Sequence, residues 1–454
     1  MMIRFVSLLL SLFVYFVTIS GNGTSNSATN RKKIVYLPLD ERFTTRDLLL
    51  NLGKITPFDI ETPDKNILSK WKTPADLSKI DKFIEDRIPY AHLLLISAET
   101  YLYGGLIASR ISNDTTTDIE KRLEKLFSYG ITYPDLQIYV SNVVQRIPSY
   151  NGDFEEPWYW ADYGFDLYTY SFYTDKYSQT NDINDYYQAQ AAKVKVPSSA
   201  VNEFVWRRAR NHNITMQMLS RMRRTSNTAH NIGYNMRRVD TDTGSKSIFN
   251  FLYTTLDDSA EYGFNIREAA EIKSYIEDNS MEIDESSCPV YPGADEVHLT
   301  MLAKYAVETA RGGKRIRMSL AFKNESTISM IPSYEGQPMI ETLNQQISAA
   351  GGIVVSDYSE NNAHLDAGNQ YDTVLLVNNF EGDSQLEASS QPTSLSHIEI
   401  EKYRNQFDAK VKEAVSEGNI YMYIHSHFTL FYVYTKLRGS IINIYTRMCC
   451  GLLR

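Results

Sequence analysis

The chain has 454 residues, 43% of them hydrophobic and 22% charged, an ordinary globular composition with enough apolar material for two packed domains or one large one. Its formal net charge of -9, with one basic cluster from Arg207 to Arg210 through Arg224, excludes the positive footprint that sequence-independent nucleic-acid binding needs. Three cysteines, Cys288, Cys449 and Cys450, are too few for a disulfide scaffold, so the fold must stand on its core.

The first 21 residues read as a secretory signal peptide. Arg4 supplies the positive start, Phe5 to Ile19 the apolar run, and Ser20-Gly21 the small residues before a polar linker over 22–31. The apolar run is short for a membrane span, and no later segment is long and apolar enough to be one. The expectation is a secreted protein with no membrane association after cleavage. Asn22, Asn113, Asn213 and Asn324 each open an Asn-x-Ser/Thr triplet and become glycosylation acceptors in a eukaryotic secretory route.

From Lys32 onward, short apolar runs alternate with helical patterns. The strands expected are Lys32–Leu39, His92–Ser97, Leu136–Asn142, Phe249–Leu256, Arg315–Phe322, Gly352–Ser356, Thr373–Asn378 and Asn419–Ile424. Helices are expected over Asp76–Arg87, Thr117–Phe127, Asn265–Asp278, Glu296–Arg311 and Met339–Ala349, the last stopped by Gly351-Gly352. This alternation predicts an α/β fold whose mostly parallel sheet is built from βα units, either barrel-like or doubly wound. The domain plan is a main α/β domain over 32–311, a second α/β lobe over 312–424 and an atypical tail over 425–454.

Residues 150–190 interrupt this rhythm. The segment is dense in Trp, Tyr and Phe, carries many acids and amides, and shows no clean period. It reads as an aromatic-rich insertion, either a lid or groove wall suited to sugar rings or a Tyr-rich subdomain packed on the core. In the tail, His425 and His427 alternate as on a strand, but without a third ligand nearby they make a weak metal pair.

Ligands of parallel α/β sheets sit beyond the carboxyl ends of the strands, and the residues there are polar in this chain. The first strand runs into Asp40-Glu41-Arg42. The second runs into Glu99, then Tyr103-Gly104-Gly105 and Arg110; the paired glycines permit close backbone approach. Arg146 follows the third strand and Asp257-Asp258 the fourth. Asp295-Glu296 stands just before a helix, where both acids also suit a helix N-terminus. Two adjacent acids at the end of an apolar strand repel one another and lose solvation, which raises one pKa and makes a general acid. Asp257, Asp258 and Glu99 are therefore the catalytic candidates. Asp40, Glu41, Arg42, Tyr103, Gly104, Gly105, Arg110, Arg146, Asp295 and Glu296 are the substrate-binding candidates. Asp257 or Asp258 has the alternative of capping the next helix. No nucleophile elbow, P-loop, dinucleotide fingerprint or zinc-protease motif is present, and no metal or cofactor is assigned.

Taken together, Pro38-Leu39-Asp40-Glu41-Arg42, Tyr103-Gly104-Gly105-Leu106 with Ser109-Arg110, Asp257-Asp258 with Tyr262-Gly263, and Gly293-Ala294-Asp295-Glu296 resemble domain-of-unknown-function family 4127. The resemblance runs from Lys33 to about Gly418. It implies that these positions form one site and that members are often exported, but it brings no established activity. Phe43 stands where the family's first motif usually has proline, Glu99 where many members carry aspartate, and no Gly-Trp-Asn-Thr type motif closes the chain. The function expected from these residues is a carbohydrate-directed hydrolase acting on a carbohydrate or other small polar substrate. The alternatives are a metal-dependent phosphate or sulfate ester hydrolase, with Asp40, Asp257, Asp258 and Asp295 as oxygen ligands, and a non-catalytic glycan-binding protein.

Overall fold

A computed structural model describes residues 31–54, 56–222, 248–257, 260–280, 283, 287–322, 328–329, 331, 337–359, 372–378, 421–425, 430–437 and 440–447. The expectations placed on the signal peptide, Asn22, Asn324, Asp258, His427, Cys449 and Cys450 fall outside these residues. The chain divides into two compact units at Met301/Leu302, inside the helix Val297–Arg311 and ten residues before the expected boundary.

The first unit holds a six-stranded open sheet in the order β2-β1-β3-β4-β5-β6, every neighbouring pair parallel. The strands are β1 Lys32–Leu37, β2 Phe58–Glu61, β3 Leu93–Ser97, β4 Gln137–Val144, β5 Phe251–Leu256 and β6 Val290–Pro292. Short β2 and β6 were not legible as strands, because four and three residues leave too little pattern. The sheet is doubly wound in order, not a barrel. Its strands are near-continuous apolar runs because both faces are buried. Val35, Leu37, Leu94, Ile96, Ile138, Val140 and Leu252 join one large core with Ile80, Leu123 and Ile272 of the flanking helices. Ile34, Tyr36, Leu95, Tyr139 and Tyr253, pointing the other way, are equally buried.

Strand order reverses between β1 and β3. The chain passes outward from β1 to β2 and returns to pair β3 on β1's other edge, which makes the carboxyl ends of β1 and β3 the topological switch point where open α/β sheets take their ligands. Helix starts there use local signals. Ser97 Oγ accepts the Thr100 N–H at 3.4 Å to begin the helix Ala98–Tyr103, and Gly104 ends it in the left-handed region at φ 92°.

The aromatic insertion is helical rather than irregular, with Trp160–Thr180 and Ile183–Lys193, and the helix Ser198–Ser220 follows it. Its period was hidden because the buried stripe of the first helix is Trp160, Gly164, Leu167, Ser171 and Asp175, only partly apolar. The polar members of that stripe have work to do. Ser171 Oγ accepts from Phe264 N at 2.8 Å and Asp175 Oδ2 from Gly263 N at 2.9 Å, capping the helix Phe264–Asp278 from outside it. Tyr159, Trp160, Leu167, Val201, Phe204 and Phe264 form a second core here, so part of the aromatic content is packing.

The second unit holds another open six-stranded sheet, β12-β11-β10-β9-β7-β8. β7 Ile316–Phe322, β8 Gly352–Ser359, β9 Thr373–Asn378 and β10 Tyr421–His425 are parallel, and β11 Leu430–Leu437 and β12 Ser440–Arg447 add an antiparallel hairpin. The tail expected to lack architecture thus contributes two strands, and His425 closes β10. The helix Met339–Ala349 leads into β8.

Candidate functional site

Asp40, Glu99, Asp257 and Asp295 gather on the carboxyl edge of the first unit's sheet. At the end of β1, the Asp40 carboxylate accepts from its neighbours' Arg42 N at 3.0 Å, Arg42 Nε at 2.9 Å and Thr45 Oγ1 at 2.5 Å. The Arg42 guanidinium spans outward to the Asp295 carboxylate, with Nη2–Oδ1 at 2.7 Å and Nη1–Oδ2 at 3.2 Å. Burial nevertheless raises the Asp295 pKa above its usual value, aided by the Asp40 charge and opposed by Arg42. Glu41 turns away to accept from Ser69 Oγ at 3.2 Å.

Glu99 leaves β3 into the first turn of the helix and is 4% exposed. Its Oε1 accepts the Val143 N–H at 2.7 Å and its Oε2 the Ser97 hydroxyl at 3.0 Å. Burial pushes its pKa up to about 7; the hydrogen bonds oppose this, and the Asp257 charge adds to it. Beside it lies a cavity of about 10 Å³, room for one water, with Asn142, Gln145, Asn211 and Thr215 in its wall.

Asp257, at the end of β5, behaves in the opposite way. Burial would raise its pKa, but Arg110 and Arg146 overcome this and hold it below the usual carboxylate range. Arg110 Nη2 donates to Asp257 Oδ2, while Nη1 reaches Glu156 Oε1 at 3.2 Å and Glu155 Oε2 at 3.3 Å. Arg146 grips the same two glutamates, at 2.7 Å to Glu155 and 3.0 Å to Glu156. Burial raises the Glu156 pKa, against both arginines. Asp257 does not cap a helix, since the next one begins at Phe264 behind Gly263.

A third group lies under this rim. His298 Nε2 sits 2.9 Å from Ser141 Oγ and its Nδ1 3.2 Å from Tyr36 Oη. The single Tyr36 hydroxyl proton goes to the Thr45 carbonyl. The phenol oxygen therefore accepts from Nδ1–H, leaving Nε2 to accept from the Ser141 hydroxyl. Burial holds His298 neutral, its pKa pushed down to about 3. Gly293 makes this turn possible. Its φ is 100°, and a Cβ there would lie 2.2 Å from Glu296 Oε1, so the buried Glu296 carboxylate folds over a position that must lack a side chain.

Residues 34–424 match the family described as protein of unknown function, DUF4127. The chain belongs to this family. No curated protein and no solved structure matches this DUF4127 chain.

Of the expected site residues in this DUF4127 protein, Asp40, Arg42 and Asp295 form one ion-pair network and Asp257, Arg110 and Arg146 another, while Glu99 is held by Ser97 and Val143 without a cation. The Asp257 charge acts on both Glu99 and Asp295, which joins the two networks electrostatically. Tyr103, Gly104 and Gly105 serve the protein itself. The Tyr103 ring is buried, with the Arg210 guanidinium 5.3 Å from its centroid. A Cβ on Gly104 would lie 2.7 Å from Pro74 Cβ, and one on Gly105 2.7 Å from Ser69. The close approach expected at these glycines is made by the loop 69–75. Glu155, Glu156, Ser141, Tyr36 and His298 were not found from sequence. The signal available was His298 two residues beyond Glu296, and the acidic pair Glu155-Glu156 just after Arg146.

Arg207, Arg208 and Arg210 of the basic cluster are buried. Arg208 pairs with Glu268 at 2.6 Å and donates to the Gln145 carbonyl at 3.0 Å, and Arg210 donates to the Ser112 and Asp114 carbonyls. Among the described residues, no helix is long and apolar enough to cross a membrane.

Proposed function

We propose that this protein is a secreted hydrolase of glycosidic bonds, with Glu99 as general acid and Asp257 as the ionised carboxylate that works with it. One observation supports this reading above the rest: two carboxyls on one sheet edge, close enough to feel each other, are driven apart in pKa by their surroundings. Burial keeps Glu99 protonated up to about pH 7, and two arginines keep Asp257 charged. That division is what acid-assisted cleavage of a glycosidic bond requires, one group giving a proton to the leaving oxygen and the other stabilising or attacking the developing cation. Arg110, Arg146, Glu155 and Glu156 orient Asp257, and Ser97 and Val143 orient Glu99. The carboxyl edge, which holds the topological switch point, is where open α/β sheets take their ligands.

The metal-dependent ester hydrolase fits less well. Arg42 already occupies the place between Asp40 and Asp295 that a cation would take, and Arg110 holds Asp257. Among the described residues, no group of three His, Cys, Asp or Glu side chains is placed to hold a metal ion.

The test is turnover of a panel of aryl glycosides and polysaccharides by the full chain, with Asp257→Asn beside it. Loss of at least about a hundredfold in kcat is expected. Undiminished turnover in the variant removes Asp257 from the reaction. Mass spectrometry of the protein recovered separately from cells and medium tests the secreted address: a chain found only in the cells with Met1 intact rejects it.

A further inference from the structure

Trp71 has a backbone conformation that its side chain does not favour. Among the described residues only Trp71 and Asn181 combine a side chain with a left-handed φ, both at 56°. Asn181 is a residue type that tolerates this and stands at a helix end. Trp71 does so at the tip of a two-residue turn closed by Lys70 and Thr73, whose N–H and carbonyl groups exchange two hydrogen bonds of 2.9 Å. Such turns favour Gly, Asn or Asp, and a bulky residue there is an outlier that something else must maintain.

The turn delivers the indole to a defined place. Trp71 Nε1 donates to the Phe154 carbonyl at 3.2 Å, and Lys72 pairs with Asp153 at 3.3 Å. The Trp71 and Phe154 rings meet at 4.0 Å between centroids, inclined by 66°, and form an open corner. Both remain exposed, Trp71 by 42% and Phe154 by 68%. Glu155 and Glu156 come next in the chain and are the residues that Arg110 and Arg146 grip beside Asp257. On its other side the loop is pinned to the site by the Ala75 N–H to the Gly104 carbonyl at 2.8 Å and by Ser69 to Glu41.

We infer that the corner made by Trp71 and Phe154 is a stacking platform for one pyranose ring of the substrate, next to the acid pair. This inference rests on the glycosidic reading proposed above and names where the chain of sugars lies. A pyranose presents polarised C–H groups on one face, which suit the electron-rich face of an aromatic ring, and hydroxyls at its rim. Lys72 and Asp153, each next in the chain to one of the rings, supply partners for those hydroxyls. Two rings are far too small an area for a stable protein partner, which needs roughly 800 Å² a side.

The test is calorimetric titration of the full chain with the hexasaccharides of cellulose, xylan, chitin and laminarin at millimolar concentrations. Each is run with the wild type, Trp71→Ala, Phe154→Ala, Trp71→Phe and Asp257→Asn, and with Tyr90→Ala as a control at the opposite, amino end of β3. Expected is at least about tenfold weaker binding in each alanine variant of the corner, a smaller loss in Trp71→Phe and none in Tyr90→Ala. Because Phe154→Ala tests the same corner from another loop, a misfolded Trp71 variant does not end the test. Failure of the wild type to bind any of the four, or equal binding by Trp71→Ala and Phe154→Ala, overturns the platform. If the corner variants lose binding, Asp257→Asn binds like the wild type and no protein yields product, the platform stands and the hydrolase reading fails.

Discussion

Replacing Glu99 with glutamine should flatten part of the pH dependence of stability. The buried carboxyl titrates near 7 in the folded protein, against 4.5 for the unperturbed group. The folded state therefore holds a proton that the unfolded state has already released across this interval, and stability falls as pH rises through it. At ~1.36 kcal/mol per pH unit the wild type loses about 3 kcal/mol between pH 4.5 and 7 on this account, with little change outside it. Glutamine mimics the protonated acid: its carbonyl accepts from Val143 N, and its amide donates to Ser97 Oγ once the Ser97 hydroxyl, which donates to Glu99 in the wild type, turns its proton away. The variant should match the wild type near pH 4 and exceed it by about 3 kcal/mol near pH 8. Urea unfolding at a series of pH values reads the difference directly, since the other titrating groups are common to both proteins. A gap between the two proteins that stays constant with pH would refute the argument and take the general-acid role of Glu99 with it. In activity, the same proton predicts a falling limb near pH 7 that Glu99→Gln abolishes together with turnover.

Arg110→Met leaves Asp257 and Glu156 as buried charges short of a partner; a loss of about 3–5 kcal/mol in urea unfolding is expected, and a loss below about 1 kcal/mol would mean the network is not tightly coupled. Gly293→Ala forces a side chain onto a φ of 100° and against Glu296, and should cost about 1–3 kcal/mol, whereas no loss would show that the turn relaxes freely. The His298 ring should remain neutral with its proton on Nδ1 between about pH 5 and 8, as nitrogen-15 NMR reports, and an imidazolium signal near pH 6 would contradict its burial. Tyr36→Phe removes the acceptor from that Nδ1–H and should destabilise the protein by about 1–3 kcal/mol, measured by urea unfolding.

The sequence by itself determined the α/β class, the parallel βα rhythm and the positions of the longer strands. Strands buried on both faces must be continuous apolar runs, and the helices between them must carry apolar stripes, so both patterns are written locally. It also determined which acids and arginines stand at strand ends, because a polar residue directly after such a run can lie only at a sheet edge. The order of the strands was decided by pairing between distant segments, and that order made an open sheet with its topological switch point between β1 and β3. The helical insertion was hidden because Ser171 and Asp175 on its buried face answer the needs of another helix, which no periodicity within the segment records. Tertiary structure also gave the acids their different characters. Glu99 and Asp257 are both carboxyls following apolar strands, and burial without a cation raises one while Arg110, forty-odd residues from Glu155 and farther from Asp257, holds the other ionised. A pKa is set by neighbours in space, so the same residue type in the same local context takes opposite roles.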